Sequence, residues 1–274
     1  MSVRIPFSKG HGTFNDFIVI PDADNTCDLD AEQVRWLCDR RGGLGADGVL
    51  RVVSREASPE AASACGTARY FMDYRNADGS LAEMCGNGIR VFAHFLVVHG
   101  WETEQEFDVG TRAGCVRVKV VAPDMYAVRL RTPASPMDGS FEVAVGDSTW
   151  VGVGVNAPNP HVVALGVALE DLGGLDGSLR VSPMPASGVN VEFVELRGPG
   201  RIAMRVHERG VGETQSCGTG ACAAAWVART QEPKCREWDV EVPGGHLKVT
   251  VHEDDSFTLV GPADLVAEGF VTIP

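Results

Sequence analysis

Apolar and polar positions alternate with a period of two through much of this chain. In CVRVKVV (115–121), RIAMRV (201–206) and LKVTV (247–251) every second side chain falls on an apolar face, the mark of a strand with one buried side. Further β-type runs are read at Phe17–Ile20, Val49–Val53, Ala68–Tyr74, Tyr126–Leu130, Trp150–Val155, Val189–Leu196 and Phe257–Val260, punctuated by Gly and Pro. Three segments break the alternation and predict helices. One follows Asp30, an N-cap with Gln33 three residues on, and is expected to stop at Gly42-Gly43. The second starts just after Cys85 and runs through IRVFAHFLVVH to Gly100; the third starts just after Cys217 and runs through ACAAAWVAR. The last two are apolar around most of their circumference, so each should be wrapped by strands.

The chain repeats itself weakly across its midpoint. At an offset of 132, Met72 falls on Met204, Cys85 on Cys217, Gly86 on Gly218, Gly88 on Gly220 and Ala93 on Ala225. Asn76 and Glu208 stand nine positions before their respective cysteines. At an offset of 144, NDFIV from Asn15 falls on NPHVV from Asn159, and the difference of 12 fits a surface-loop insertion in the first half between residues 53 and 68. The pattern implies an α+β fold of two pseudo-symmetric domains, each a curved sheet or barrel around a central helix. The expected bounds are 1–130 with a returning strand in 263–274, and 131–262, with the site in the cleft between them.

Composition narrows the function classes. The 274 residues are 44% hydrophobic and 22% charged, ordinary for a globular protein. A net charge of -13 argues against nucleic acid as a partner. No apolar run is long enough for a membrane helix, and the first residues lack an export signal, so a cytoplasmic protein is expected. Eight irregularly spaced cysteines suggest neither a disulfide scaffold nor a zinc site, and free thiols are the expectation.

The chemistry concentrates in Met84-Cys85-Gly86-Asn87-Gly88 and Ser216-Cys217-Gly218-Thr219-Gly220. Each places a cysteine before a Gly-x-Gly turn that opens a helix. Unpaired amides at a helix start favour an anion, so such a turn can hold a carboxylate and stabilise a thiolate. One CGxG alone fits a buried structural cysteine better. Two, at equivalent points of two halves, fit a reaction that needs both faces of one carbon: one sulfur removes a proton, the other delivers one. No segment suggests pyridoxal phosphate, and Lys9, Lys119, Lys234 and Lys248 are the only lysines that could bind it, so no cofactor and no metal are expected.

NADGSLAEMCGNGIR (76–90) and ERGVGETQSCGTGACAAA (208–225) resemble the two signature blocks of the diaminopimelate epimerase family. KGHGTFNDF, GLGADGVL, APNPHVV and GVNVEFV resemble its other blocks in the same order, so the likeness spans almost the whole chain. It implies inversion of LL- to meso-diaminopimelate, a precursor of lysine and peptidoglycan, by a homodimer. Cys85 and Cys217 would be the acid–base pair, with Gly86, Asn87, Gly218 and Thr219 presenting amides to the carboxylate at the reacting centre. Asn15, Asn76, Asn159, Asn190 and Arg209 would hold the remaining polar groups of the substrate; His161 and Glu208 would tune the thiols or fix the ammonium. Gly48 stands where a substrate-binding Gln often occurs in the family, and Gly12-Thr13-Phe14-Asn15 replaces the commoner GLGN. Cys27, Cys38, Cys65, Cys115, Cys222 and Cys235 are read as structural, and His94 and His99 as structural or surface. The alternatives are a proline or hydroxyproline racemase, an isomerase of the phenazine-biosynthesis type, and a non-catalytic thiol switch.

Overall fold

A computed structural model describes residues 3–175, 177–186 and 188–274. These residues form a strand-rich α+β protein that divides into two compact units, Met1–Arg129 with Gly261–Pro274, and Leu130–Val260.

In the first unit β1 (Val3–Gly12) and β2 (Asn15–Pro21) form a hairpin whose two linking residues, Thr13 and Phe14, have φ of 50° and 62°. Positive φ at both positions is what a tight hairpin turn demands, and it costs a bulky residue strain. Helix α1 (Ala31–Cys38) carries the chain over to β3 (Gly48–Ser54), which lies parallel to β2. Its start matches the expected capping box: Asp30 accepts from Gln33 N and Gln33 Oε1 accepts from Asp30 N. Its end comes earlier than expected, at Cys38. Asp39 takes an extended backbone, and its carboxylate accepts from the amides of Arg41 and Gly42, which turns the chain before the glycine pair. Gly43 is then pressed against the Trp36 carbonyl, where no side chain fits.

The insertion expected to be a loop holds a 3-10 turn (Arg55–Ala57) and a short helix, α2 (Pro59–Ala64), capped by Ser58 with Pro59 in the first turn. β4 (Tyr70–Asn76) follows, antiparallel to β3. Helix α3 (Gly86–Val98) packs on β1 through β4, and the meander β5 (Glu106–Thr111), β6 (Gly114–Ala122) and β7 (Met125–Leu130) completes this run. Cys65, just after α2, is joined to Cys115 at the start of β6 in a disulfide, which corrects the expectation of free thiols at both positions. The parallel bridge between Phe71 and Gly110 brings these segments together, a long-range pairing invisible in cysteine spacing.

The buried side of α3 is apolar apart from Asn87 in its first turn and Arg90. Arg90 is fully buried, and its guanidinium donates to the carbonyls of Pro262 and Gly86 and to Thr13 Oγ1. A buried cation is tolerable only with such partners. Gly12 makes room for it, because a Cβ there would stand 2.9 Å from Arg90 Nη2. A buried ion cluster latches β3 and β4: Arg51 bridges Asp22 and Asp73, and Arg112 pairs with the other oxygen of Asp73. Arg112 also donates to the carbonyls of Tyr74 and Ala82, fixing the segment that leads into α3.

The second unit runs through β8 (Ser135–Pro136), β9 (Phe141–Val145), β10 (Ser148–Asn156), β11 (Pro160–Leu165), β12 (Leu179–Ser182), β13 (Asn190–Gly198), β14 (Arg201–Glu208) and β15 (Gly212–Thr214). Helix α4 (Gly218–Ala228) and β16 (Glu237–Val242), β17 (Gly245–Val251) and β18 (Phe257–Pro262) follow. β11 and β13 are parallel, and β14 is antiparallel to β13, as β2, β3 and β4 are in the first unit. Helix α4 packs on β10, β11, β13, β14, β16 and β17. Its Ala221, Ala223, Ala224 and Ala225 are all buried, so strands approach it closely, and a larger side chain there would cost roughly 1–3 kcal/mol. The last strand, β19 (Asp264–Ile273), belongs to the first unit and pairs antiparallel with β1, Val3 opposite Ile273.

Candidate active site

Both expected cysteines sit at helix starts. In the first unit Cys85 is the N-cap of α3: its backbone is extended, and its sulfur accepts from Gly88 N at 3.4 Å. Asn15 at the head of β2 gathers the neighbourhood. Its Oδ1 lies 3.7 Å from Cys85 Sγ and accepts from Asn87 Nδ2 at 3.2 Å, while its Nδ2 donates to Asp47 Oδ2 at 2.7 Å. Asp47 thus fixes which way the Asn15 amide faces. Burial, then the charge of Asp16, raises the Asp47 carboxyl, whereas Asp16 is held at about 2 because hydrogen bonds from Arg40 and Lys9 outweigh its burial. Asp47 is a residue the sequence reading missed; its only signal is an acid inside the GLGADGVL block.

Asn76 serves its own turn: its side chain donates to Ser80 Oγ and its amide to the Ser80 carbonyl. Gly48 lies opposite Asn76 across β3 and β4. A Cβ on Gly48 would stand 2.7 Å from the Arg75 carbonyl and 2.8 Å from the Tyr74 ring, so the departure at this position is built into the packing.

In the second unit Cys217 is the N-cap of α4, its sulfur accepting from Gly220 N at 3.4 Å and lying 3.4 Å from Thr219 Oγ1. The pull of the helix start toward the thiolate is outweighed here. Burial pushes the Cys217 thiol well above the ordinary value, and the charges of Glu208 and Glu192 push it further. The Thr219 and Gly220 hydrogen bonds do not offset this. Cys217 is therefore held as a thiol.

The other expected residues of this unit lie on or beside β11, β13 and β14. His161 on β11 is fully buried and lies opposite Asn190 at the head of β13. Asn190 Oδ1 accepts from the Arg209 amide at 2.9 Å, closing the end of β14. Glu208 accepts from Thr214 Oγ1 at 2.6 Å. The exposed Arg209 lays its aliphatic stem over Gly188, and the exposed Asn159 precedes β11, its carbonyl accepting from Ala157 N. The residue missed in this unit is Glu192, fully buried on β13, with Oε1 2.7 Å from His161 Nδ1. A charged residue in the apolar run VNVEFV was the available signal.

Of the cysteines read as structural, Cys38 and Cys222 are buried, while Cys27 and Cys235 are partly exposed. His94 bonds Tyr126 and His99 pairs with Glu268. Among the described residues no three His, Cys, Asp or Glu side chains converge as a metal site.

A family model for diaminopimelate epimerase matches residues 7–133 and 178–266 of this chain. The chain belongs to the diaminopimelate epimerase family. The Streptomyces coelicolor diaminopimelate epimerase is 48% identical over 280 residues, covering 98% of this chain and 96% of that protein. The Corynebacterium glutamicum diaminopimelate epimerase is 44% identical over 281 residues and covers both chains completely. Solved structures share the fold at much lower identity. A hydroxyproline epimerase from Agrobacterium vitis superimposes with a TM-score of 0.69 at 12% identity, covering 98% of this chain and 92% of that one. A phenazine biosynthesis protein from Bacillus anthracis gives 0.67 at 15%, covering 99% and 100%. The two-unit architecture is thus common to several activities, and membership in the diaminopimelate epimerase family rests on the sequence match.

Proposed function

We propose that this chain inverts one α-carbon of diaminopimelate, interconverting the LL and meso forms without pyridoxal phosphate. The observation that carries the reading is the same device in both units: a cysteine capping a buried helix through a backbone amide, within a chain of this family. Each unit is read as one half of the enzyme contributing one sulfur. A thiolate on one side takes the α-proton, the electron pair stays on carbon, and the thiol on the other side delivers its proton to the opposite face. The net result is inverted carbon and exchanged protonation of the two sulfurs, which titrate as one coupled system. Which sulfur abstracts and which delivers depends on the direction of the reaction, the roles exchanging for the reverse one.

The carbanion needs electrostatic support, which amides at Gly86, Asn87, Gly218 and Thr219 are positioned in sequence to give. Asn15, Asn76, Asn159, Asn190 and Arg209 are assigned to the ammonium and distal carboxylate groups, Arg209 as the bidentate partner of a carboxylate. His161 and Glu208 are assigned to proton handling beside the thiols. We further propose a cytoplasmic homodimer that supplies meso-diaminopimelate to lysine and peptidoglycan synthesis.

The test is proton exchange in deuterated water. Wild type should place deuterium at the α-carbon of diaminopimelate and leave proline and hydroxyproline untouched. Cys85→Ser and Cys217→Ser should each lower inversion by at least about 10²-fold, the scale of a lost acid–base group. Full inversion by either variant, or exchange into proline instead, overturns the reading.

A further inference from the structure

Helices α3 and α4 rest on matching pairs of strands, and the side chains beneath their first turns differ in kind. Under α3 the pair is Phe17 on β2 and Leu50 on β3: a Cβ on Gly88 would meet each at 3.4 Å. Under α4 the corresponding places, on β11 and β13, hold His161 and Glu192: a Cβ on Gly220 would stand 2.6 Å from Glu192 Oε1. The strand registers agree, with Phe17 opposite Gly48 in one parallel pair and His161 opposite Asn190 in the other. One half therefore carries an apolar pair where the other carries an ionisable pair, both members wholly buried.

Burying two such groups is costly unless they serve each other. His161 Nδ1 and Glu192 Oε1 are 2.7 Å apart, while His161 Nε2 and Glu192 Oε2 have no hydrogen-bond partner among the described residues. We propose that Glu192 is a positioning residue for His161: it binds Nδ1, fixes the ring and its proton there, and commits Nε2 to the reacting substrate. A carboxylate accepts only, so the proton between them belongs to Nδ1 and the Nε2 lone pair faces outward from the dyad. The inference rests on the proposed function only for what Nε2 does; the tautomer itself is independent of it.

The experiment is ¹⁵N–¹H correlation of ¹⁵N-histidine-labelled protein, with His161 assigned by loss of its signals in His161→Gln. Wild type should show His161 protonated at Nδ1. Glu192→Gln keeps an acceptor oxygen and should keep that tautomer, with turnover within about tenfold of wild type. Glu192→Leu, which copies Leu50, should lose the Nδ1 proton signature and drop kcat about 10²-fold, with KM changed less than about threefold. A wild-type His161 protonated at Nε2 overturns the proposal whatever the variants do, as does a Glu192→Leu protein that keeps wild-type kcat. If wild type fails to invert diaminopimelate while His161 carries its proton on Nδ1, the proposed function falls and the positioning role stands.

Discussion

Gly88 and Gly220 occupy the same turn of their helices, and each amide donates to the sulfur three residues before it. Their tolerance of a side chain should nevertheless differ. At Gly88 an added methyl meets Cys85 Cβ at 3.3 Å and two apolar side chains at 3.4 Å, a tight but adjustable fit. The better helix propensity of alanine, up to about 1 kcal/mol, works in its favour. At Gly220 the methyl collides with the Glu192 carboxylate, whose displacement breaks the hydrogen bond to His161. Gly88→Ala should therefore leave the urea midpoint nearly unchanged, whereas Gly220→Ala should lose roughly 1–3 kcal/mol and most activity. Equal losses in the two variants would contradict this difference. The Gly-x-Gly turn was expected to admit a ligand, but the second glycine of the α4 turn is required by Glu192. No motif could reveal that, because Glu192 reaches α4 from a strand 28 residues earlier in the chain.

The elements that were legible are those whose cause is local. The capping box of α1 uses Asp30 and Gln33, three residues apart, and the helices after Cys85 and Cys217 were marked by apolar composition around most of their circumference. Elements set by distant partners were not. Strand β1 shows no clear alternation and was not read, although the strand that holds it, β19, falls where a returning strand was expected. Helix α2 is only six residues long, with one buried side chain, and Arg112 reaches Glu60 on it from beyond α3. The Cys65–Cys115 bond has the same origin and a measurable effect. It closes a loop of 50 residues, so removing it should lower stability by up to about 4 kcal/mol through the entropy of the unfolded chain. Cys65→Ala with Cys115→Ala should show this as a lower denaturant midpoint, insensitive to reductant, while wild type falls to the same value when dithiothreitol is added. A wild-type midpoint indifferent to dithiothreitol would mean the bond is not a staple of the fold.

Across the whole molecule, titration sets the range of pH over which the fold survives. Burial pushes the Cys38 thiol and the Tyr126 hydroxyl each to about 12, and the Cys217 thiol well up. An acid whose folded value is raised contributes stability below its unfolded value and loses it as pH climbs. The unfolded values are near 9 for the thiols and 10 for the phenol, so the urea midpoint should hold to about pH 9 and decline steadily towards pH 12. At the acid end Asp16, held at about 2, contributes stability that is lost as pH falls from 3.8 through 2, partly countered by the raised Asp47. A midpoint constant from pH 9 to 11 would refute the alkaline half of this forecast. The repeated strand order of the two units, parallel then antiparallel, was foreshadowed by the matched cysteine blocks, but the chemical difference between their inner pairs was not. Finally, β1 is bordered by β2 on one side and by β19 on the other. On the ribosome, one edge of β1 must stay open until residues 264–273 have been made, so a continuous segment such as 130–260 can finish first. Strand β1, made before that segment, then closes after it, and until β19 emerges its bare edge is a place where a neighbouring nascent chain can add a strand.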